Sequence, residues 1–315
     1  MFEKLPLLAW PRDPRLSILM YHRVLPRHSP FFPDEVDAAR FESQMRYLAR
    51  NFTVLPLLEG VRRLQSGSLP SRSICITFDD GYADNLTVAL PIMEKFGLKG
   101  TVFVATAYIE GGCMFNDAIA EMVTRTTCSV LDLQELGLER YDTSSIEHRR
   151  ESINSIRKKA RFYPPEQRNE LVEKISRIAG VDSLPNDLML TKAQVVELSR
   201  RGIEIGGHTI THPVLTSVDD NRAQTEIMMG KKTLEDWIDK PVRSFAYPNG
   251  LPGRDLTNQH AAMVRDSGFE LAVTTGKGIA SRLSDPFQLP RFVPWGNSMV
   301  KLGARMVREA WASAM

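Results

Sequence analysis

The sequence predicts an α/β fold in which a parallel sheet closes into a barrel and helices surround it. Two observations lead to this fold class. Short apolar runs, typical of buried strands, alternate with stretches of helical periodicity along most of the chain. The alternation also repeats often enough to favour a closed barrel, because repeated strand–helix units build a parallel sheet flanked by helices.

Length and composition agree with this fold class. The chain has 315 residues, of which 43% are hydrophobic and 25% are charged; these are ordinary values for a globular protein. Length alone suggests two domains, but barrels of strands and helices reach about 200 to 250 residues as one domain. We therefore expect a single domain over 1–315, made of one barrel and one insertion.

The individual elements follow from apolar periodicity and from the residues that start and stop helices. The predicted strands cover 16–21, 73–78, 101–105, 203–205, 242–247 and 271–274. The predicted helices of the barrel cover 41–51, 85–96, 192–201, 222–237 and 256–267, and Gly97 occupies the usual position after a helix end.

The pattern changes between about residues 110 and 190, where charged residues and helix formers dominate. Ser144 and Glu147 have the spacing of a capping box that opens a helix reaching about residue 162. Pro165 then suits the first turn of a second helix, which ends near Gly180. We predict a helical insertion in the barrel over this range.

Charge and cysteine content exclude several classes of protein. Lys and Arg total 40 and Asp and Glu total 38, a net charge of +2, which lacks the broad basic footprint of a nucleic-acid-binding protein. The three cysteines form no CxxC pair, which is evidence against a disulfide framework or a cysteine zinc site and favours a reducing compartment.

The sequence lacks the apolar segments that target or anchor a protein. No apolar run reaches the length of a membrane span, and the N-terminus lacks the features of a secretory signal. We expect a cytoplasmic protein. A helix over 299–311 has an apolar face, for which packing on the barrel is favoured over peripheral contact with the inner membrane.

Polar residues stand directly after several of the predicted strands, where barrel enzymes place their active sites. These residues are His22, the pair Asp79 and Asp80, His208 with His212, and Asn249. Each has a structural alternative: Asp79 and Asp80 could cap a helix and begin its first turn, and each histidine could be a buried, hydrogen-bonded side chain.

A metal site is the stronger interpretation of this group. His208 and His212 are four residues apart, a spacing that can direct two imidazoles onto one metal ion. With one aspartate they form a set of two histidines and one carboxylate, which suits zinc and leaves positions open for water. The other aspartate is then free to act as a base. Arg291 follows a candidate last strand and could keep a nearby aspartate ionised or form a structural ion pair.

Three segments resemble the signatures of the polysaccharide deacetylases, the NodB-homology carbohydrate esterases. The segment 77–82, Thr-Phe-Asp-Asp-Gly-Tyr, is similar to the first signature, and 208–213, His-Thr-Ile-Thr-His-Pro, to the second. The segment 245–250, Phe-Ala-Tyr-Pro-Asn-Gly, resembles a variant of the third. The resemblance covers about 16–294, except the insertion.

The resemblance implies a fold, a cofactor and roles for residues. It implies a distorted (β/α)7 barrel and one divalent metal, usually Zn²⁺, with Co²⁺ or Ni²⁺ as alternatives. The implied ligands are Asp80, His208 and His212, and the implied general base is Asp79. The main-chain N–H of Asn249 is a candidate oxyanion donor. Tyr82 and Trp295 are candidate substrate contacts.

The chain departs from the family pattern at two positions. The arginine of the third signature is replaced by Ala246, and we expect Arg291 to substitute for it. The C-terminal Leu-x-His signature is missing, since no histidine follows Trp295. Circularly permuted members, similar to the poly-N-acetylglucosamine deacetylases, carry that histidine on the first strand. His22 matches this position and is the implied general acid.

The activity that the resemblance implies is removal of N-acetyl groups from an acetylated amino sugar. The expected substrate is a polysaccharide or oligosaccharide of an exopolysaccharide or the cell envelope. One alternative is a deacylase or deformylase of a lipid-linked sugar. An alternative of another class is an inactive carbohydrate-binding barrel.

Overall fold

A computed structural model describes residues 13–294 and 299–312 of the chain. The strands are β1 (Leu16–Tyr21), β2 (Val24–Leu25), β3 (Val36–Asp37), β4 (Thr53–Val54), β5 (Ser73–Phe78), β6 (Thr101–Val104), β7 (Val130–Asp132), β8 (Arg140–Asp142), β9 (Glu204–Gly207), β10 (Ser244–Ala246) and β11 (Leu271–Val273). The α-helices are α1 (Ala38–Asn51), α2 (Leu57–Ser66), α3 (Leu90–Lys95), α4 (Phe115–Arg125), α5 (Ile146–Ala160), α6 (Pro165–Ala179), α7 (Lys192–Arg200), α8 (Asp220–Ile238), α9 (Asn258–Asp266) and α10 (Met299–Ala312).

The main sheet is parallel and curls on itself. Its strands lie in the order β1-β5-β6-β9-β10-β11, with β4 paired to the start of β5. Residues 289–292 bridge the two ends, because Leu289 pairs in parallel with Val273 and Phe292 pairs in parallel with Leu19. The fold is therefore the predicted distorted barrel, and a short irregular segment completes its wall.

Strands β1, β5, β6, β10 and β11 are buried along their whole length, which is why they lie in apolar runs of the sequence. Ile74 and Ile76 of β5 pack in a large cluster with the surrounding helices. Cys75, between them, packs in a second cluster with Phe103 of β6 and with residues of α2. This alternation reflects the two-residue period of a strand.

The predicted elements of the barrel are present, with ends that differ by a few residues. Strands β1 and β5 have the predicted bounds. The predicted strand over 242–247 is shorter, since only Ser244–Ala246 pair as a strand. The predicted helix over 85–96 begins as a π-helix, Asn85–Ala89, and continues as α3. Helix α2 was not predicted from the sequence.

The insertion between β6 and α7 contains α4, α5 and α6 around an apolar cluster of their own. The sequence predicts a purely helical insertion, and this is wrong, because β7 and β8 form an antiparallel hairpin in it. The predicted capping box at Ser144 is also wrong. Asp142 accepts hydrogen bonds from the backbone N–H and the hydroxyl of Ser144, so Ser145 caps α5 instead. Helix α6 begins at Pro165 and ends before Gly180, as predicted.

Helix α10 packs its apolar face on the barrel. Leu302, Met306 and Val307 belong to the large apolar cluster of the barrel helices, and α10 contacts α1. Among the described residues, none of the helices combines the length and the apolar character needed to cross a membrane.

Candidate metal centre and active site

A cavity of about 360 Å³ opens at the carboxyl ends of the barrel strands. Seven of the residues singled out in the sequence line it, namely His22, Asp79, Asp80, Tyr82, His208, His212 and Asn249. Trp295 lies outside the described residues. The parallel strands bring these residues together, because each side chain follows the end of a strand or lies in the loop after it.

Asp80, His208 and His212 form the candidate metal centre. The Asp80 Oδ1 lies 3.2 Å from His208 Nε2 and 3.4 Å from His212 Nε2. One possible ligand atom from each residue lies within 4.8 Å of the others, and all three residues are buried. Within the described part of the chain, this is the group of His, Cys, Asp and Glu side chains with the spacing of a metal site.

The donor set fits a divalent cation. The buried Oδ1 of Asp80 has no hydrogen-bond partner among the described residues, and a buried unpaired oxygen is costly unless something binds it. His208 Nδ1 lies 2.7 Å from the carbonyl oxygen of Ala246, so Nδ1–H donates there and Nε2 remains free as a ligand atom. Burial lowers the pKa of His212 to about 3, which keeps the imidazole in the neutral form that binds metals.

Backbone conformations that non-glycine residues rarely adopt occur at two of the candidate ligands and in the loop between the histidines. Asp80 has φ of +77°, Thr209 +66° and His212 +52°, in the left-handed region that costs free energy for residues with a Cβ. Gly230 of α8 makes room for this loop, since a Cβ there would lie 3.0 Å from the carbonyl carbon and oxygen of Thr209. Left-handed residues concentrated at one site are typical of functional positions.

Asp79 lies beside this centre and is held by Arg291. Arg291 Nη1 donates to Asp79 Oδ1 at 2.6 Å and Nη2 donates to Oδ2 at 2.7 Å. Arg291 Nε donates to the carbonyl oxygen of Thr274, which orients the guanidinium. Burial opposes ionisation of Asp79, but the Arg291 guanidinium outweighs it and holds the pKa of Asp79 below its usual range. Asp79 is therefore a carboxylate at neutral pH.

His22 and Asn249 lie at other edges of the cavity. His22 follows β1 directly, and Asp79 follows β5 directly. The two strands pair in parallel, and their last residues, Tyr21 and Phe78, lie opposite each other. The side chain of His22 is partly buried and faces the cavity that Asp79 and Asp80 also line. Asn249 has φ of +58°, and its carbonyl oxygen accepts a hydrogen bond from the Thr275 hydroxyl at 2.6 Å.

Tyr82 connects the barrel to the insertion. Its hydroxyl donates to Asp117 Oδ2 of α4 at 2.9 Å, and the Arg23 guanidinium lies 5.0 Å from the centre of its ring. The hydroxyl is therefore committed to an internal hydrogen bond, and Tyr82 contributes mainly to the wall of the cavity.

The insertion and nearby loops place further charged residues around the cavity. These are Arg23, Glu35, Asp117, Arg157, Arg161 and Arg254. Burial raises the pKa of Asp117 to about 6. The sequence holds a signal for this residue, since Asp117 stands among the apolar residues Phe115, Ala118 and Ile119. In the structure all four are buried in α4, where an ionisable side chain is unusual.

Comparisons with known proteins find a matching family model and a curated relative. The family model for polysaccharide deacetylase matches residues 66–271. A curated protein of Bacillus subtilis strain 168, "Putative polysaccharide deacetylase YxkH", is 24% identical over 279 residues, which cover 88% of this chain and 70% of that protein.

Solved structures share the fold. The Streptococcus pyogenes deacetylase PplD, in complex with acetate, has a TM-score of 0.63 at 21% identity, covering 94% of this chain and 99% of that one. A de-N-acetylase from Aggregatibacter actinomycetemcomitans has a TM-score of 0.59 at 16% identity, covering 92% and 100%. From the extent of the family match, this chain belongs to the polysaccharide deacetylase family and is a deacetylase hydrolase.

Proposed function

We propose that this protein is a metal-dependent hydrolase that removes N-acetyl groups from an acetylated amino sugar in an oligosaccharide or polysaccharide. The observation that carries the proposal is the pairing of two differently placed carboxylates in one cavity. Asp80 lies with His208 and His212, whereas Asp79 is held separately by Arg291. One carboxylate is thus available to a metal and the other to a proton.

The metal centre would be formed by Asp80, His208 and His212. A divalent cation, for which this donor set favours zinc, lowers the pKa of a bound water and polarises a carbonyl group when it is present. The hydrogen bond from His208 Nδ1 to the Ala246 carbonyl keeps that ring oriented. Asp80 and His212 both have positive φ, and their possible ligand atoms lie within 4.8 Å of each other and of that of His208.

Asp79 acts as the general base in this proposal. Amide hydrolysis requires that the attacking water lose a proton, and a positioned carboxylate is able to accept it. Arg291 keeps Asp79 ionised and presents it in one orientation through two parallel hydrogen bonds. The water oxygen then adds to the acetyl carbon.

His22 acts as the general acid and Asn249 as an oxyanion donor. When the bond between the acetyl carbon and the sugar nitrogen breaks, the nitrogen takes a proton from His22, and the products are acetate and a free amine. The main-chain N–H of Asn249, whose carbonyl is anchored by Thr275, would stabilise the negative charge that develops on the acetyl oxygen. A backbone donor makes the side chain at 249 unimportant for this step.

Two similarities support N-acetyl groups as the target. The matched Streptococcus pyogenes protein is a deacetylase in complex with acetate, and acetate is the product of the proposed reaction. The matched Aggregatibacter protein is a de-N-acetylase. We extend this chemistry to glycans of an exopolysaccharide or the cell envelope.

The test is acetate release from acetylated oligosaccharides and lipid-linked sugars, with metal analysis of the same sample. We expect acetate release from oligomers of N-acetylglucosamine by zinc-loaded protein, and loss of release in Asp79→Asn. Release only from a lipid-linked sugar, or release of formate or of a longer acid, would assign the alternative deacylase or deformylase activity. Bound metal with no product from any glycan would instead favour a binding protein.

A further inference from the structure

Arg168, which belongs to the insertion, donates hydrogen bonds to the loop that carries the ligand His212. Arg168 Nη1 lies 3.2 Å and Nη2 lies 3.1 Å from the carbonyl oxygen of His212. Nη2 also lies 3.2 Å from the carbonyl oxygen of Thr211. One guanidinium therefore joins the two final peptide carbonyls of this loop to helix α6.

Arg168 occupies a position at which the helix otherwise buries apolar residues. The buried face of α6 also contains Leu171, Ile175 and Ala179, and Arg168 is only 4% exposed. Among the described residues no carboxylate lies within ion-pair distance of it, so hydrogen bonds to neutral carbonyls are its main compensation for lost hydration. A buried cation without an ion pair is expensive, and packing of the insertion alone would be served better by an apolar side chain.

The loop needs such partners because it has no regular structure to satisfy its backbone. From one side, Glu226 of α8 accepts hydrogen bonds from the N–H groups of Ile210 and Thr211, both at 2.8 Å. From the other side, Arg168 supplies donors to the carbonyls, and Tyr108 adds its hydroxyl to the Thr211 carbonyl at 3.0 Å. The left-handed conformation of His212 is thus held between an acid of the barrel and a base of the insertion.

We propose that Arg168 is a positioning residue of the metal centre, through which the insertion holds His212 in the geometry that binds the cation. This proposal rests on the metal site of the proposed function. It gives the insertion a role at the metal centre, because Arg168, which is not itself a ligand, determines how well His212 is placed. Ligand sites tolerate little looseness, since displacements of about 1 Å are enough to impair them.

The test measures zinc affinity of metal-free protein by competition with a chromogenic chelator, without any substrate. The variants are R168Q, R168K and, as a matched control, R149Q. Arg149 is a partly buried insertion arginine that also donates to backbone carbonyls, but all of them belong to the insertion: Thr143, Val123, Thr124 and Thr126. Thermal unfolding of each variant establishes that it is folded.

We expect R168Q to bind zinc about 10- to 100-fold more weakly than the unaltered chain, the range found for residues that support metal ligands. R168K should have intermediate affinity, since its ammonium group can still donate to a carbonyl. R149Q should lower the unfolding temperature and leave zinc affinity within about twofold, well below the ~10-fold effect of a supporting residue.

Three results would overturn the proposal. Folded R168Q with unchanged zinc affinity would remove the positioning role, and if R168Q does not fold, unchanged affinity of R168K would do so. An equal loss in R149Q would show that any loosening of the insertion has the same effect. A lack of zinc binding by the unaltered chain is distinguishable from these, because it would reject the metal site itself.

Discussion

Arg291 and Asp79, which are 212 positions apart in the sequence, form a buried bidentate ion pair with N–O distances of 2.6 and 2.7 Å. Arg291 lies in the segment 289–292 that closes the barrel, whereas Asp79 follows β5. The arginine expected from the family's third signature is Ala246 in this chain. A guanidinium from a different part of the barrel thus reaches the carboxylate that the proposed mechanism uses as a base.

The first prediction concerns Arg291→Lys. Lysine keeps the charge but not the planar fork, so it loses one of the two parallel hydrogen bonds to Asp79. Since Arg291 contributes most to lowering the pKa of Asp79, this pKa should rise, and the acidic limb of the pH profile of kcat/KM should move to higher pH. The control is Arg62→Lys, which alters an exposed ion pair with Glu270. An unmoved acidic limb would contradict the role of Arg291.

The second prediction separates the two adjacent aspartates and uses His208 as the contrast. Asp79→Asn should retain about one zinc per chain and lose most turnover, because the ligands are intact but the proton acceptor is gone. His208→Ala should lose both zinc and activity. Metal analysis and acetate release on the same preparations give the two quantities. Stoichiometric zinc in His208→Ala would reject His208 as a metal ligand. Substantial turnover in Asp79→Asn would reject Asp79 as the general base.

The third prediction concerns His22→Ala. If His22 protonates the leaving nitrogen, kcat should fall by about 10² or more, the usual size of a general acid–base contribution. Zinc content should not change, because His22 is not a ligand in this proposal. His28→Ala is the matched control, since His28 is an exposed histidine close by in the sequence. Equal kcat values for the two variants would show that His22 has a structural role and is not the general acid.

The fourth prediction concerns the buried Asp117 and the pH dependence of stability. Burial raises its pKa from 3.8 to about 6. Between about pH 4 and pH 6 the unfolded chain releases this proton while the folded chain keeps it, so the free energy of unfolding falls as the pH rises through this interval. A shift of about 2 pKa units corresponds to about 3 kcal/mol.

Asp117→Asn has no proton to lose at this position. Relative to the unaltered chain, its free energy of unfolding should therefore increase by about 3 kcal/mol between pH 4 and pH 7. Urea unfolding at both pH values measures the difference. Glu151→Gln, which removes an exposed carboxylate of the insertion, should show little change. A constant difference between Asp117→Asn and the unaltered chain would contradict the raised pKa.

Local sequence pattern is enough to locate most of the residues that the proposed mechanism uses. Asp79 and Asp80 were identified because an apolar strand of six residues ends directly before them. His22 was identified in the same way at the end of β1. A strand buried on both faces is a continuous apolar run, and its carboxyl end is therefore visible without knowledge of any contact.

Signatures carried the identification of the family but not of every site residue. The family match covers 66–271, so it includes the candidate metal ligands and Asp79 but neither His22 nor Arg291. Their proximity to the site follows from the order of the strands. The wall of the barrel runs from β11 through the segment 289–292 to β1 and β5. This order brings Arg291, in the closing segment, and His22, after β1, close to Asp79.

The sequence by itself predicted the parallel barrel and the insertion, and the resemblance of its motifs supplied Asp80, His208 and His212 as candidate metal ligands. Only the tertiary structure decided that Arg291 pairs with Asp79, that Arg168 holds the His212 loop, and that the insertion contains a hairpin. The physical reason is the separation along the chain of the residues that interact. Burial and periodicity are properties of neighbouring residues, whereas a pair such as Arg291 and Asp79 forms only after strand order and barrel closure bring distant segments together.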